Sequence, residues 1–238
     1  MKGPYGFELN DSCQNFRLRG NAFFCQLSEA NLKDLDALTF VSAHPGDAIL
    51  FMERQAPRGI YVLCEGEVKL SVSSNEGKTL ILKIARPGEV LGLMAVLSSA
   101  PHEMTARTRC PAQLAFIHRE AVLHFLGQHP EAYGAVVAQL AAHYQTACEQ
   151  LKTIGLCTSV PERLARLLLD FSAQGKQTKE GTRVRFPLTH EEIGEFIGAT
   201  RETVSRTIAQ FKDERLIDLR GATLTIQDRS GLEHLISF

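Results

Sequence analysis

The 238-residue sequence predicts an α+β chain built from a compact antiparallel β sandwich or barrel, a long helix, and a C-terminal winged helix-turn-helix. Three observations carry that prediction. From Leu38 to Ile117, short strand-like runs are punctuated by Gly46, Gly59, Gly66, Gly77, Gly88 and Gly92. Beyond Pro130 the rhythm becomes helical, and residues 188–226, LTHEEIGEFIGATRETVSRTIAQFKDERLIDLRGATLTI, carry two capped helices and a hairpin. Composition is that of an ordinary folded globular protein, 44% hydrophobic and 22% charged. The net charge of -1 offers no global attraction to a polyanion, so contact with nucleic acid would have to use local charges. Splitting the chain leaves this unchanged: residues 159–238 hold 12 Lys+Arg and 12 Asp+Glu, and residues 1–158 hold 14 and 15.

The first twelve residues contain one lysine and no apolar core of the kind a signal peptide needs. The longest apolar run, Val90 to Leu97, has eight residues, against about 20 for a membrane helix. The sequence therefore predicts a cytoplasmic protein with no membrane partner. Its six cysteines, Cys13, Cys25, Cys64, Cys110, Cys148 and Cys157, are scattered through a chain large enough to fold without disulfides, and read as reduced thiols. Residues 1–27 form an N-terminal arm holding Cys13 and Cys25 in SCQNFRLRGNAFFCQL.

A short helix is expected from Ser28 to Ala37, with Ser28 as N-cap. Residues 28–130 make the β domain. Ile60–Leu63, Val68–Val72 and Thr79–Ile84 read as strands, the last two joined by a turn at Asn75-Glu76-Gly77. Several such runs in about 80 residues argue for a closed antiparallel architecture. In residues 131–158, Val137, Leu140, Tyr144, Ala147, Leu151 and Ile154 recur at spacings of 3, 4, 3, 4 and 3, a single narrow seam. Such a seam fits a symmetric dimer; packing on the helix's own domain is the alternative.

Residues 159–238 form the last domain. Ser159 caps a helix that has Pro161 in its first turn and Glu162 three positions after the cap, with Leu164, Leu167, Leu168 and Phe171 as the expected buried stripe. Ser172 to Gly181 reads as a polar loop before a strand at Arg183–Phe186. Thr189 and Glu192 then form a capping box, with Leu188 and Ile193 as a hydrophobic staple. Gly198 stops that helix, and Thr200 caps a second with Val204, Ile208 and Phe211 on its apolar face. Arg201, Glu202, Ser205 and Arg206 are left facing outward, where a recognition helix meets base edges. Arginine suits guanine O6/N7 and a carboxylate suits cytosine N4, so this set is chemically suited to G·C pairs. Leu216–Leu219, a turn at Arg220-Gly221, and Ala222–Ile226 make the wing, with Arg220 as a phosphate contact.

From about Leu27 onward the chain resembles the Crp/Fnr family of bacterial transcription regulators. GATRETVSR at 198–206 is similar to the family's recognition-helix signature, and EGEVKLSVSSNEGKTLILKIARPGEVLG at 65–92 is similar to its β-roll sensor domain, a double-stranded β-helix of jelly-roll type. The resemblance implies a homodimer that binds a palindromic promoter site, contacts RNA polymerase and responds to an effector in the β-roll. By position it implies base reading by Arg201, Glu202 and Arg206, as in members that recognise a TGTGA-like half-site, while Ser205 is the residue type of Fnr-like members.

The family's cyclic-nucleotide members use a cassette that opens with Gly-Glu and closes with Arg-Ser or Arg-Thr. Residues 92–106, GLMAVLSSAPHEMTA, keep Gly92 but place Leu93 where the ribose-binding Glu belongs and Glu103-Met104 where the phosphate-binding Arg belongs. Thr105 remains as a hydroxyl, and Ala147 and Cys148 stand at the helix positions that meet the purine. Cyclic AMP in the usual mode is therefore disfavoured. Arg107 and Arg109, a few residues on, are the cations that could substitute for the missing Arg, but as strand residues they are expected to face solvent.

The Fnr branch instead implies an iron–sulfur cluster on N-terminal cysteines, normally four thiolates. Cys13, Cys25 and Cys110 are the candidates here; Phe16 stands where a C-x-x-C pair would have its second thiol, so the ligand set is incomplete. A cluster, a Cys13/Cys25 thiol switch, and purely structural cysteines all stay open, as does haem held by a single His or Cys. Cys64 and Cys148 are expected as small core residues. His44, His102, His118 and His124 lack the His-x-His spacing of a metalloenzyme, and no nucleophile elbow, Walker loop or H-E-x-x-H occurs, so no enzymatic activity is expected.

Overall fold

The structure, a computed structural model, describes residue 5 and residues 27–236. It divides into two compact units, 1–145 and 146–238, with the division falling inside one long helix. The expected α+β architecture is present.

In the first unit Ser28 Oγ accepts from the Asn31 N–H and starts α1 (Glu29–Asp36), as its position predicts. Eight strands follow: β1 (Phe40–His44), β2 (Ile49–Phe51), β3 (Gly59–Glu65), β4 (Val68–Ser73), β5 (Thr79–Ala85), β6 (Val90–Leu91), β7 (Thr105–Thr108) and β8 (Ala112–His118). They pair antiparallel in two four-stranded sheets, ordered β1-β8-β3-β6 and β2-β7-β4-β5. Alternation along β3 and β8 explains why these strands read as unbroken apolar runs. Leu63 and Leu114 point between the sheets, joining Phe51, Leu70 and Ala106 from the other sheet. Their neighbours Val62, Ala115 and Ile117 point the opposite way, into a core shared with the helices. A strand covered on both faces has no polar side to show.

Two helices of this unit are not predicted by the sequence. The run from Val90 to Leu97 is split at Gly92 into the short β6 and α2 (Leu93–Ser98). The helical rhythm also begins earlier than Pro130, at α3 (Arg119–Gln128), where Val122, Phe125 and Leu126 are buried. A 3-10 turn at Pro130–Ala132 leads to α4 (Tyr133–Leu156). No helix among the described residues is long and apolar enough to cross a membrane.

The second unit contains α5 (Val160–Ser172), β9 (Lys176–Thr178), β10 (Gly181–Arg185), α6 (His190–Ile197), α7 (Arg201–Asp213), β11 (Ile217–Arg220), β12 (Thr223–Ile226) and α8 (Arg229–His234). Ser159 Oγ caps α5 by accepting from the Glu162 N–H, and the Glu162 carboxylate reaches back to the Thr158 N–H at 2.8 Å. The buried stripe of α5 is rotated from the expected one. Leu164, Ala165, Leu168 and Leu169 are buried, whereas Leu167 and Phe171 are half-buried. Phe171 meets Phe186 and Phe196 edge-on, with ring centroids 4.9 and 6.4 Å apart. Part of the predicted Ser172–Gly181 loop is strand: β9 pairs with β10, extending the sheet to the order β11-β12-β10-β9. Arg220 ends β11, so the wing turn is Gly221-Ala222, one residue later than predicted; Gly221 takes a φ of 57° there.

Candidate nucleic-acid interface and effector site

Local chemistry sets the α6–α7 corner. Thr189 Oγ1 accepts from the Glu192 N–H at 3.1 Å while the Glu192 carboxylate accepts from the Thr189 N–H at 2.9 Å, the reciprocal capping box. Leu188 and Ile193 are both buried beneath it. Gly198 closes α6 with a φ of 65°, a left-handed conformation that glycine adopts without strain. Thr200 Oγ1 then caps α7 through the Thr203 N–H. Val204, Thr207, Ile208 and Phe211 are buried, which turns Arg201, Glu202 and Arg206 into solvent.

Ser205 is placed differently from its expected outward pose. It is half-buried, and its hydroxyl donates to the Arg201 carbonyl at 3.0 Å and meets His190 Nδ1 at 2.7 Å. The contact with His190 links α6 to α7, and when the Ser205 proton is on the Arg201 carbonyl the hydroxyl is free to accept from a protonated Nδ1. The sequence gives no sign of the His190 contact, because no local rule pairs residues 15 positions apart across a corner. At the wing the Arg220 side chain is 86% exposed, with Nε 2.9 Å from Asp218. Lys212 Nζ donates to the Leu219 carbonyl at 2.7 Å, joining the end of α7 to β11.

Arg163 is a second residue that the sequence does not single out. Its Nε donates to the Ile197 carbonyl at the end of α6 (2.8 Å) and its Nη1 to the Cys157 carbonyl (3.2 Å). One guanidinium thus holds α6 to the segment that follows α4. Nearby, Arg166 pairs with Glu149 at 2.7 Å and Asp170 at 3.5 Å. The hydrogen bond from Lys152, with Arg166 adding to it, holds the Glu149 carboxyl below its usual range, while burial lifts that of Asp170.

In the first unit Gly92 has a φ of 80° and precedes α2, whose first residue, Leu93, is buried. Glu103 is exposed, and Thr105 Oγ1 already accepts from the Glu53 N–H at 3.0 Å. A Cβ on Gly92 would lie 3.1 Å from His102 Cε1. The His102 ring is 3% exposed and stacked on Phe51 at 3.9 Å, and its Nδ1 has no hydrogen-bond partner among the described residues. Burial pushes its pKa down, against the pull of Glu103. Arg109 corrects an expectation: it follows β7 and folds inward onto Glu67 instead of facing solvent. Lys83 is likewise paired, with Glu89. From α4, Gln139 Nε2 donates to the Val90 carbonyl at 2.7 Å, and His143 is held with a lowered pKa by burial and then by Lys83. Of the cations here, Arg109 and Lys83 already have carboxylate partners, while Arg107 on β7 is half-buried.

Cys148 lies on α4 in the second unit and is half-buried, less enclosed than expected; Cys64 is buried as expected. Burial raises the pKa of Cys157. Cys110 is half-buried between β7 and β8, and Cys13 and Cys25 lie outside the described residues. Among the described residues no three His, Cys, Asp or Glu side chains gather as a metal site requires. Along α4, Val137, Tyr144, Ala147, Leu151 and Ile154 are exposed, while Leu140 is half-buried against the core of the first unit.

Comparison with known proteins agrees with this layout. Residues 41–129 match the cyclic nucleotide-binding domain, and residues 162–235 match the Crp-like helix-turn-helix domain. A CRP-like cAMP-activated global transcriptional regulator of Mycobacterium tuberculosis is 29% identical over 202 residues, covering 84% of this chain and 88% of that protein. Among solved structures, FixK2 of Bradyrhizobium japonicum superposes with a TM-score of 0.72 at 20% identity, over 84% of this chain and 98% of that one. The c-di-GMP-responsive regulator CLP of Xanthomonas campestris also gives 0.72 at 20% identity, over 84% and 99%. With both family domains in their expected order, joined by one long helix, the chain belongs to the Crp/Fnr family of bacterial transcription regulators, DNA-binding proteins rather than enzymes.

Proposed function

We propose that this chain acts as a homodimer that binds a two-fold symmetric DNA site, each protomer reading one half-site with α7. The observation that carries the reading is the side-chain distribution on that helix: Arg201, Glu202 and Arg206 project from a segment whose opposite face is buried and whose N-terminus is capped. In this reading the two arginines address guanine and Glu202 addresses cytosine. Thr189, Thr200 and Arg220 lie at the helix starts and wing, where phosphate contacts set register. Ser205 acts mainly by fixing α7 against His190. The exposed seam from Val137 to Ile154 supplies the dimer contact. RNA polymerase is the further partner that family membership suggests.

The β-roll senses a small-molecule effector or redox signal other than cyclic AMP in the family's usual mode, although the Mycobacterium tuberculosis relative is named as cAMP-activated. With Arg109 and Lys83 held by Glu67 and Glu89, a cyclic phosphate buried beside Leu93 would have to draw on Arg107 or forfeit a charge-assisted pair of about 1.5–3 kcal/mol. Cys13, Cys25 and Cys110 are the candidates for a redox route. On either route Arg163 is positioned to pass a change at the end of α4 to α6.

Arg206→Ala tests the base-reading role. It should cost about 1–3 kcal/mol on the specific palindrome and little on random duplex. Equal costs on both would reduce Arg206 to a phosphate contact.

A further inference from the structure

The second unit is balanced in charge, yet its sheet is not. Antiparallel register places Arg185, Thr223 and Arg220 in one row, and Lys176, Arg183, Thr225 and Asp218 in another two residues along. Opposed residues share a face and alternate rows share it too. The intervening rows point inward: Leu224, Ile226, Ile217 and Thr182 are buried, and Val184 and Leu219 are half-buried. The outer face therefore carries Lys176, Arg183, Arg185 and Arg220 with Asp218 as the one acid in those rows, and that acid is matched by Arg220. Lys176, Arg183 and Arg185 are exposed, and none has an acidic or hydrogen-bonding side-chain partner among the described residues.

We propose that this outer face is a phosphate-binding surface that extends the chain's grip on duplex DNA beyond the bases read by α7; the inference rests on the DNA reading above. Three observations support it. Apart from Asp218 and the buried Thr225, the rows hold arginine, lysine and Thr223, the side-chain types that meet phosphate oxygens, and none of the aromatic or aliphatic residues that form the core of a protein–protein contact. Arg183 and Arg185 stand about 6.7 Å apart along one strand, and Arg185 and Arg220 about 9.5 Å apart across two strand spacings, a regular array suited to a polyanion with a charge every ~3.4 Å per strand. The array also starts at Arg220 on the wing and runs to β9, roughly 14 Å away across the sheet, so it would reach phosphates outside the wing's own contact.

The test is the salt dependence of binding for the Arg183→Gln/Arg185→Gln double variant. The probe is a duplex holding the preferred palindrome with about ten flanking base pairs on each side, compared with the palindrome trimmed to about 22 base pairs. On the long duplex the slope of log K against log salt should fall by about 0.9 for each phosphate the variant no longer neutralises, with site preference retained; on the trimmed duplex the two proteins should differ less. Both side chains are exposed, so the unfolding temperature should stay at the wild-type value. Equal slopes on the long duplex would overturn the proposal. So would unchanged DNA binding with reduced transcription by purified RNA polymerase, which would assign the face to a protein. A wild-type chain with no palindrome preference would instead sink the specific-site reading, and the slopes on an arbitrary long duplex would still decide the role of the sheet face.

Discussion

At the residue scale, His102 shows how burial couples a single side chain to pH. Its ring fills the space beside Gly92 and stacks on Phe51, and the neutral form is favoured by burial. The folded pKa therefore lies below the unfolded value near 6.5. Above that pH both states hold a neutral ring and stability is at its full value. As pH falls through about 6.5 the unfolded chain takes up the proton first, and stability declines. His44 and His143 are shifted the same way by burial, so the three effects accumulate. We expect the unfolding temperature to drop between about pH 7 and pH 5, and the drop to be shallower in His102→Phe, which keeps the ring stack. A variant with the wild-type pH profile would show that His102 stays hydrated.

Residues whose role is set by near neighbours are legible in the sequence alone. Ser28, Ser159, Thr189 and Thr200 cap because their partners lie three positions away, and all four accept the expected hydrogen bonds. Arg109, Arg163 and His190 are not legible in that way, because their partners Glu67, Ile197 and Ser205 are distant in sequence and nothing local announces them.

At the scale of elements, α4 carries the assembly prediction. Tyr144 is 72% exposed and Leu151 70% on a helix of 24 residues, an apolar stripe whose burial requires a partner. Tyr144→Glu with Leu151→Glu should convert a dimer to a monomer in sedimentation, without unfolding either unit. A wild-type chain that is monomeric at micromolar concentration would contradict this. The period of α4 is readable because it persists over several turns. The shorter α2, α3 and β9 escape notice for the opposite reason: six, ten and three residues give too few repeats to separate a period from chance. The wing turn sits one residue later than predicted because Arg220 can end a strand or start a turn equally well, and the pairing of Arg220 with Thr223 decides it.

At the scale of the molecule, the fold class is legible because its parts use different hydrophobic rhythms: unbroken or alternating runs in the β-roll, threes and fours in α4, and capped short helices in the DNA-binding unit. What the β-roll senses is less legible. A family match over residues 41–129 describes the scaffold, whereas ligand choice rests on a few side chains, and in our reading Leu93 and Glu103 are among them. DNA recognition and effector sensing meet in one measurement, selection of bound duplexes from a random pool, run with and without cyclic AMP. The expected result is enrichment of a two-fold symmetric site of about 22 base pairs, equally in both arms. Recovery of no sequence preference would contradict specific DNA recognition, and enrichment confined to the cyclic AMP arm would contradict the reading of the effector site.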